Sequence, residues 1–146
     1  TEAELDKAGL APPFWASAAH VAANEVDPFA GAAIAMNAAA NQLGDGLEVV
    51  LRDMLDEPVL ADDGAALWDV VLAGDICYER PMAGRLFAWL QRHADAGALV
   101  LIGDPGRTYV PVDGVREVAR YAVPTPLALE DQEIRDTVVL RVVPRA

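Results

Sequence analysis

Four short apolar-rich segments in this chain each run into an acidic residue, and that recurring join limits the folds open to it. His20 to Val26 carries Glu25 and stops at Asp27-Pro28. Leu47 to Leu51 stops at Arg52-Asp53, Trp68 to Gly74 at Asp75, and Leu99 to Ile102 at Gly103-Asp104. The last two are continuous apolar runs, the pattern of strands buried on both faces of a parallel sheet. Helical patterns lie between the runs. Asp27 followed by Pro28 predicts an N-cap and first turn. Phe29, Ala33, Met36, Ala40 and Leu43 then share one face, with Gly44 as the stop. Leu55 to Ala66 is polar, is broken by Pro58 and Gly64, and reads as loop or short helix. Pro81 opens a second helix with Leu86, Trp89, Leu90 and His93 on one stripe and Gly97 as its stop. Arg116 to Val123 and Thr137 to Val143 alternate and predict an antiparallel pair around Pro124-Thr125-Pro126. The order predicts an α/β domain whose sheet is mostly parallel, with an antiparallel C-terminal strand pair.

At 146 residues the chain fits one domain, 1–146, with enough length to bury a core. Its 11 Lys and Arg against 23 Asp and Glu give a net charge of −12. That balance, with no basic run, argues against nucleic-acid partners and against docking on anionic lipid. Every apolar stretch is interrupted by charge before it reaches the length of a membrane span. The first residues lack the basic-then-apolar order of a secretory signal, which reads as a cytoplasmic protein. The single cysteine, Cys77, excludes an internal disulfide framework, and His20 and His93 have no metal-ligand spacing, so no metal site is expected.

In open α/β sheets, ligands gather beyond the carboxyl ends of the strands, where Glu25, Asp27, Asp53, Asp75 and Asp104 fall. Each has a plain structural role to weigh against a chemical one. Asp27 is first of all a helix cap, Asp53 can simply begin a polar loop, and Asp75 can simply turn the chain. Glu25 is harder to dismiss, because an acid ending the second strand of a nucleotide-binding fold can accept both ribose hydroxyls. His93 reads as structural. Gly103-Asp104-Pro105-Gly106-Arg107 is glycine-rich but lacks the Gly-Lys-Ser/Thr ending of a phosphate loop.

Four segments together carry a family resemblance. Asn24-Glu25-Val26-Asp27-Pro28-Phe29-Ala30 resembles the second-strand region of class I S-adenosylmethionine-dependent methyltransferases. Asp75-Ile76-Cys77-Tyr78 is similar to the Asp-x-x-Tyr motif of the seven-strand protein-lysine methyltransferases. Pro13-Phe14-Trp15-Ala16 and Leu101-Ile102-Gly103-Asp104-Pro105-Gly106-Arg107 resemble bacterial relatives of the electron transfer flavoprotein β-subunit lysine methyltransferase. The resemblance implies a Rossmann-like seven-strand sheet and S-adenosyl-L-methionine as cofactor. It implies cofactor-binding roles for Glu25, Asp27, Asp53 and Trp15, and catalytic roles for Asp75 and Tyr78. The implied partner is a lysine-bearing protein such as the electron transfer flavoprotein β subunit. A small-molecule N-methyltransferase, a nicotinamide-dinucleotide dehydrogenase and a non-catalytic interaction domain are the alternatives.

One departure stands out. The family's first strand and Gly-rich turn should follow the aromatic segment, yet Trp15-Ala16 runs almost at once into Ser17-Ala18-Ala19-His20-Val21. In that fold the first strand lies between the second and fourth, and its loss would leave backbone groups unpaired. The expectation is therefore an N-terminal helix and aromatic segment over 1–16, a gap in the sequence near 16–18, and the remaining core over 18–146.

Overall fold

The computed structural model describes residues 18–124 and 134–145, arranged as six strands and two α-helices. The expected N-terminal helix, Trp15, and the suspected break as far as Ser17 lie outside the described residues. The chain divides into two compact units, Thr1–Met54 and Leu55–Ala146.

The first unit is a strand–helix–strand. Strand β1 (Val21–Glu25) pairs in parallel with β2 (Leu47–Leu51), Glu25 opposite Leu51. Helix α1 (Pro28–Ala40) connects them and packs on both. It begins as expected: the Phe29 N–H donates to Asp27 Oδ1 at 2.8 Å, and Pro28 occupies the first turn. The face shared by Phe29, Ala33, Met36, Ala40 and Leu43 is not the one that packs on the strands. Phe29 is 86% and Met36 73% exposed, and the side turned to the strands carries the buried Gly31, whose missing Cβ leaves room for Leu51. Apolar residues surround this helix on all sides, so spacing alone cannot say which stripe is buried.

The expected stop at Gly44 is also corrected. The Gln42 N–H donates to Ala39 O and the Leu43 N–H to Ala38 O, which closes a Schellman motif two residues early. Gln42 takes the left-handed position there, with φ 56°. Gly44 begins a short 3₁₀ turn, Gly44–Gly46, that leads into β2.

The second unit is a four-stranded mixed sheet in the order β3-β4-β6-β5. Strands β3 (Val70–Gly74) and β4 (Leu99–Asp104) are parallel, in register from Val70 opposite Leu99 to Gly74 opposite Gly103. Helix α2 (Arg80–Asp95) joins them and ends in a second Schellman motif with Gly97 at φ 101°, as the sequence predicts. Its apolar stripe, Leu86 and Leu90, closes over Val71, Val100 and Ile102 of the parallel strands and Leu140 and Val142 of β6. The fully buried His93 extends the same stripe. The C-terminal pair is antiparallel as expected: β5 (Val115–Pro124) on β6 (Ile134–Val142), with a bulge between Glu117 and Ala119. β6 pairs in turn with β4, Asp104 opposite Val138. Ile134 to Thr137 and their partners therefore overhang the carboxyl end of β4.

One reading of β3 needs correcting. It is not buried on both faces: Val71 is buried, but Leu72 is 58% exposed, because α2 covers one side of the sheet only. No helix among the described residues is long and apolar enough to cross a membrane.

Candidate functional site

The predicted residues fall at two sets of carboxyl strand ends, one in each unit. In the first unit Glu25 ends β1, and its Oε1 accepts the N–H groups of Val26 at 2.7 Å and Asp27 at 3.1 Å. One carboxylate oxygen is thus engaged in turning the chain, so the two-oxygen ribose contact expected from the sequence must share Glu25 with its own backbone. Asp27 is occupied as the cap of α1. Asp53 follows β2 and is exposed. The sequence reading missed Asn24. Its Nδ2 donates to Val50 O at 2.9 Å and Arg52 O at 2.8 Å, lashing the end of β1 to the end of β2. Glu25 and Asp53 consequently emerge from adjacent strands at one end of the pair.

The second unit has the tighter construction. Asp75 leaves β3 with φ 50°, a left-handed conformation that few residues other than glycine adopt and that aspartate tolerates better than most. Its N–H donates to Gly103 O at 2.9 Å. Arg107 takes both of its carboxylate oxygens, Nε to Oδ1 at 2.6 Å and Nη2 to Oδ2 at 2.7 Å, a bidentate fork of the strong charge-assisted kind. That hydrogen-bonded guanidinium holds the Asp75 carboxyl below the usual carboxylate range. Partial burial opposes it, and the charges of Arg107 and Arg135 reinforce it.

Arg107 is itself held in place. Asp104, fully buried at the end of β4, accepts the N–H groups of Gly106 at 2.7 Å and Arg107 at 2.6 Å on one oxygen. Gly106 supplies the φ of 90° that the turn after Pro105 requires. The Tyr109 N–H donates to Cys77 O at 3.2 Å and ties the two loops together a second time. Cys77 is buried, and its thiol is pushed up by burial first and then by the neighbouring Asp104 charge and hydrogen bond. Tyr78 stands 62% exposed on the same loop as Asp75.

Asp75 and Tyr78 therefore share one loop, as the sequence implies, whereas Arg107 and Asp104 complete a site that the sequence reading did not assemble. The available signal was the turn Asp104-Pro105-Gly106 followed by an arginine, at the end of the strand paired with the one ending in Asp75. No group of three or more His, Cys, Asp or Glu side chains able to hold a metal occurs among the described residues.

Comparison with known proteins bears on this arrangement. No family model matches the chain. Over nearly all of it, the fold matches a Streptococcus pneumoniae protein described as a tRNA (m1A22) methyltransferase. The TM-score is 0.54 and the identity 16%, over 98% of this chain and 59% of that one. At that identity the likeness concerns the fold alone, which is Rossmann-like α/β. In sequence it is similar to the electron transfer flavoprotein β-subunit lysine methyltransferase of Danio rerio, 33% identical over 126 residues, 83% of this chain and 46% of the relative. The same enzyme of Mus musculus is 30% identical over 127 residues, 84% of this chain and 47% of the relative. The resemblance read from the sequence is borne out as a similarity to those lysine methyltransferases, and the chain spans about half the length of the relatives it matches.

Proposed function

We propose that the chain acts in S-adenosylmethionine-dependent methylation of a protein lysine. The observation that carries this reading is the Asp75-Ile76-Cys77-Tyr78 loop at the carboxyl end of β3, its acid held ionised by Arg107 and its tyrosine open to solvent. The cofactor, when bound, supplies a methyl group activated on a cationic sulfonium. Glu25 and Asp53 fit the adenosine end of such a molecule, being acids at the carboxyl ends of adjacent parallel strands. Glu25 keeps its Oε2 for a ribose hydroxyl while its Oε1 holds the turn. Asp27 contributes through the cap that fixes that turn, and Trp15 is proposed as an aromatic neighbour of the cofactor.

A substrate lysine, with a pKa near 10.4, arrives mostly as an ammonium. Asp75 would orient it by charge and Tyr78 would flank it, so proximity and alignment carry most of the rate. Water receives the amine's proton. The electron transfer flavoprotein β subunit is the acceptor named for the relatives and the first to try, and the cytoplasm is the proposed compartment. The seven-strand sheet stays part of the proposal, with its first strand and Gly-rich turn missing near residues 16–18.

The test is a radiolabelled methyl-transfer assay on cell lysate, with calorimetry of S-adenosylmethionine and of NAD alongside. The expected result is a labelled protein and binding of S-adenosylmethionine. Asp75→Ala should keep the circular dichroism of the fold and lose transfer by on the order of 10²-fold or more. Label confined to small molecules would point to a small-molecule methyltransferase, and binding of NAD alone to a dehydrogenase. Full transfer by Asp75→Ala would remove Asp75 from the site.

A further inference from the structure

We infer that Arg107, set in place by the buried Asp104, is a positioning residue that fixes Asp75 as a standing negative charge facing the cationic substrate. The inference deepens the methyltransferase reading above and rests on it. Three features of the geometry lead here. The fork from Arg107 consumes one lone-pair direction on each Asp75 oxygen, and an ionised carboxylate offers about four such directions. Asp75 can therefore hold the guanidinium and accept a lysine ammonium together.

The fork is also imposed from below. Asp104 clamps the backbone N–H of Arg107 from a wholly buried position, so the guanidinium is presented by the turn and does not have to find Asp75 by rotamer search. Finally, Asp75 sits at a positive φ. A non-glycine residue persists there only when its surroundings over-determine it, and the Gly103 carbonyl on one side and Arg107 on the other do so.

A carboxylate held in this way serves as a fixed charge and not as a proton acceptor. It organises the ammonium, and the proton released before methyl transfer passes to water. The charged and titratable groups that act on Asp75 or sense its charge are Arg107 from the turn after β4, Arg135 from β6, and Cys77 on its own loop.

The experiment follows the Asp75 carboxyl carbon by NMR titration in the full chain, in the wild type, Arg107→Ala and Arg107→Lys, with transfer kinetics measured on the same samples. In the wild type Asp75 should titrate below the ordinary value of about 3.9. In Arg107→Ala it should move up to that value or beyond it, because the upward push of burial then outweighs the pull of Arg135. kcat should fall on the order of 10- to 10²-fold, with the dissociation constant for S-adenosylmethionine unchanged. Arg107→Lys retains the charge without the fork and should recover part of both the titration and kcat. An Asp75 titration that does not move in Arg107→Ala, or a kcat that does not fall, overturns the inference. A wild-type protein that transfers no methyl group overturns the functional reading instead, and the titration still decides whether Arg107 holds Asp75.

Discussion

The two strand–helix–strand segments share one plan and build very different interiors. In β1–α1–β2 the helix meets its strands through Gly31, and Val50 is the buried strand residue. In β3–α2–β4 the helix closes Leu86, Leu90 and His93 over Val100 and Ile102, and β6 adds Leu140 and Val142. The apolar content of the two helices does not explain this, since α1 is the more apolar. What differs is contrast. Helix α2 sets its leucines against Arg80, Arg85 and Arg92, whereas α1 has alanine, phenylalanine and methionine on every side. A helix is oriented by the difference between its faces, and without one its packing is decided by where a glycine lets it approach.

The acids differ in part, since Asp104 in the second unit also holds backbone N–H groups. In the first segment Glu25 and Asp27 hold backbone N–H groups. In the second unit Asp75 and Asp95 hold arginines, Arg107 and Arg145.

This contrast can be broken at its strongest point by Leu90→Ala, which should cost about 2–5 kcal/mol in urea denaturation. A loss under 1 kcal/mol would show that the second core is no better packed than the first.

His93 offers a smaller effect that depends on pH. Its ring is fully buried, and neither nitrogen has a hydrogen-bond partner in the structure. Burial, aided by the Arg92 charge, lowers its pKa. The unfolded chain therefore takes up a proton that the folded chain refuses. Stability from this group is complete above the unfolded value of about 6.5 and falls, by no more than about 1.4 kcal/mol per pH unit, as pH drops toward the folded pKa. Thermal melts of His93→Leu against wild type between pH 7 and pH 5 should show that slope disappear.

The smallest change compares the two helix ends. Both close with a Schellman motif, but α2 uses Gly97 where α1 uses Gln42. Gln42→Gly should stabilise the protein by about 1 kcal/mol, and an unchanged midpoint would mean that the end of α1 is already loose.

Much of this was legible in the sequence, for reasons that follow the same divide. The extent of β2, the Asp27 cap, the Gly97 stop and the alternation of β5 and β6 are local matters of turn chemistry and period. The buried side of α1 was not legible, since Phe29, Met36 and their neighbours give several equivalent stripes. Nor was the exposure of Leu72, which depends on what covers the second face of the sheet. Asp75 and Tyr78 were singled out by the resemblance of Asp75-Ile76-Cys77-Tyr78 to the Asp-x-x-Tyr motif. The fork from Arg107 could not, because 32 residues separate it from Asp75 and only the pairing of Gly74 with Gly103 brings their loops together.

The buried Cys77 carries a consequence of its own. A thiol reacts as its thiolate, and this one is buried with its ionisation opposed by burial and by Asp104. An alkylating reagent should therefore modify Cys77 far more slowly in the folded chain than in the unfolded one, and the ratio of the two rates reports how firmly this part of the chain is held closed.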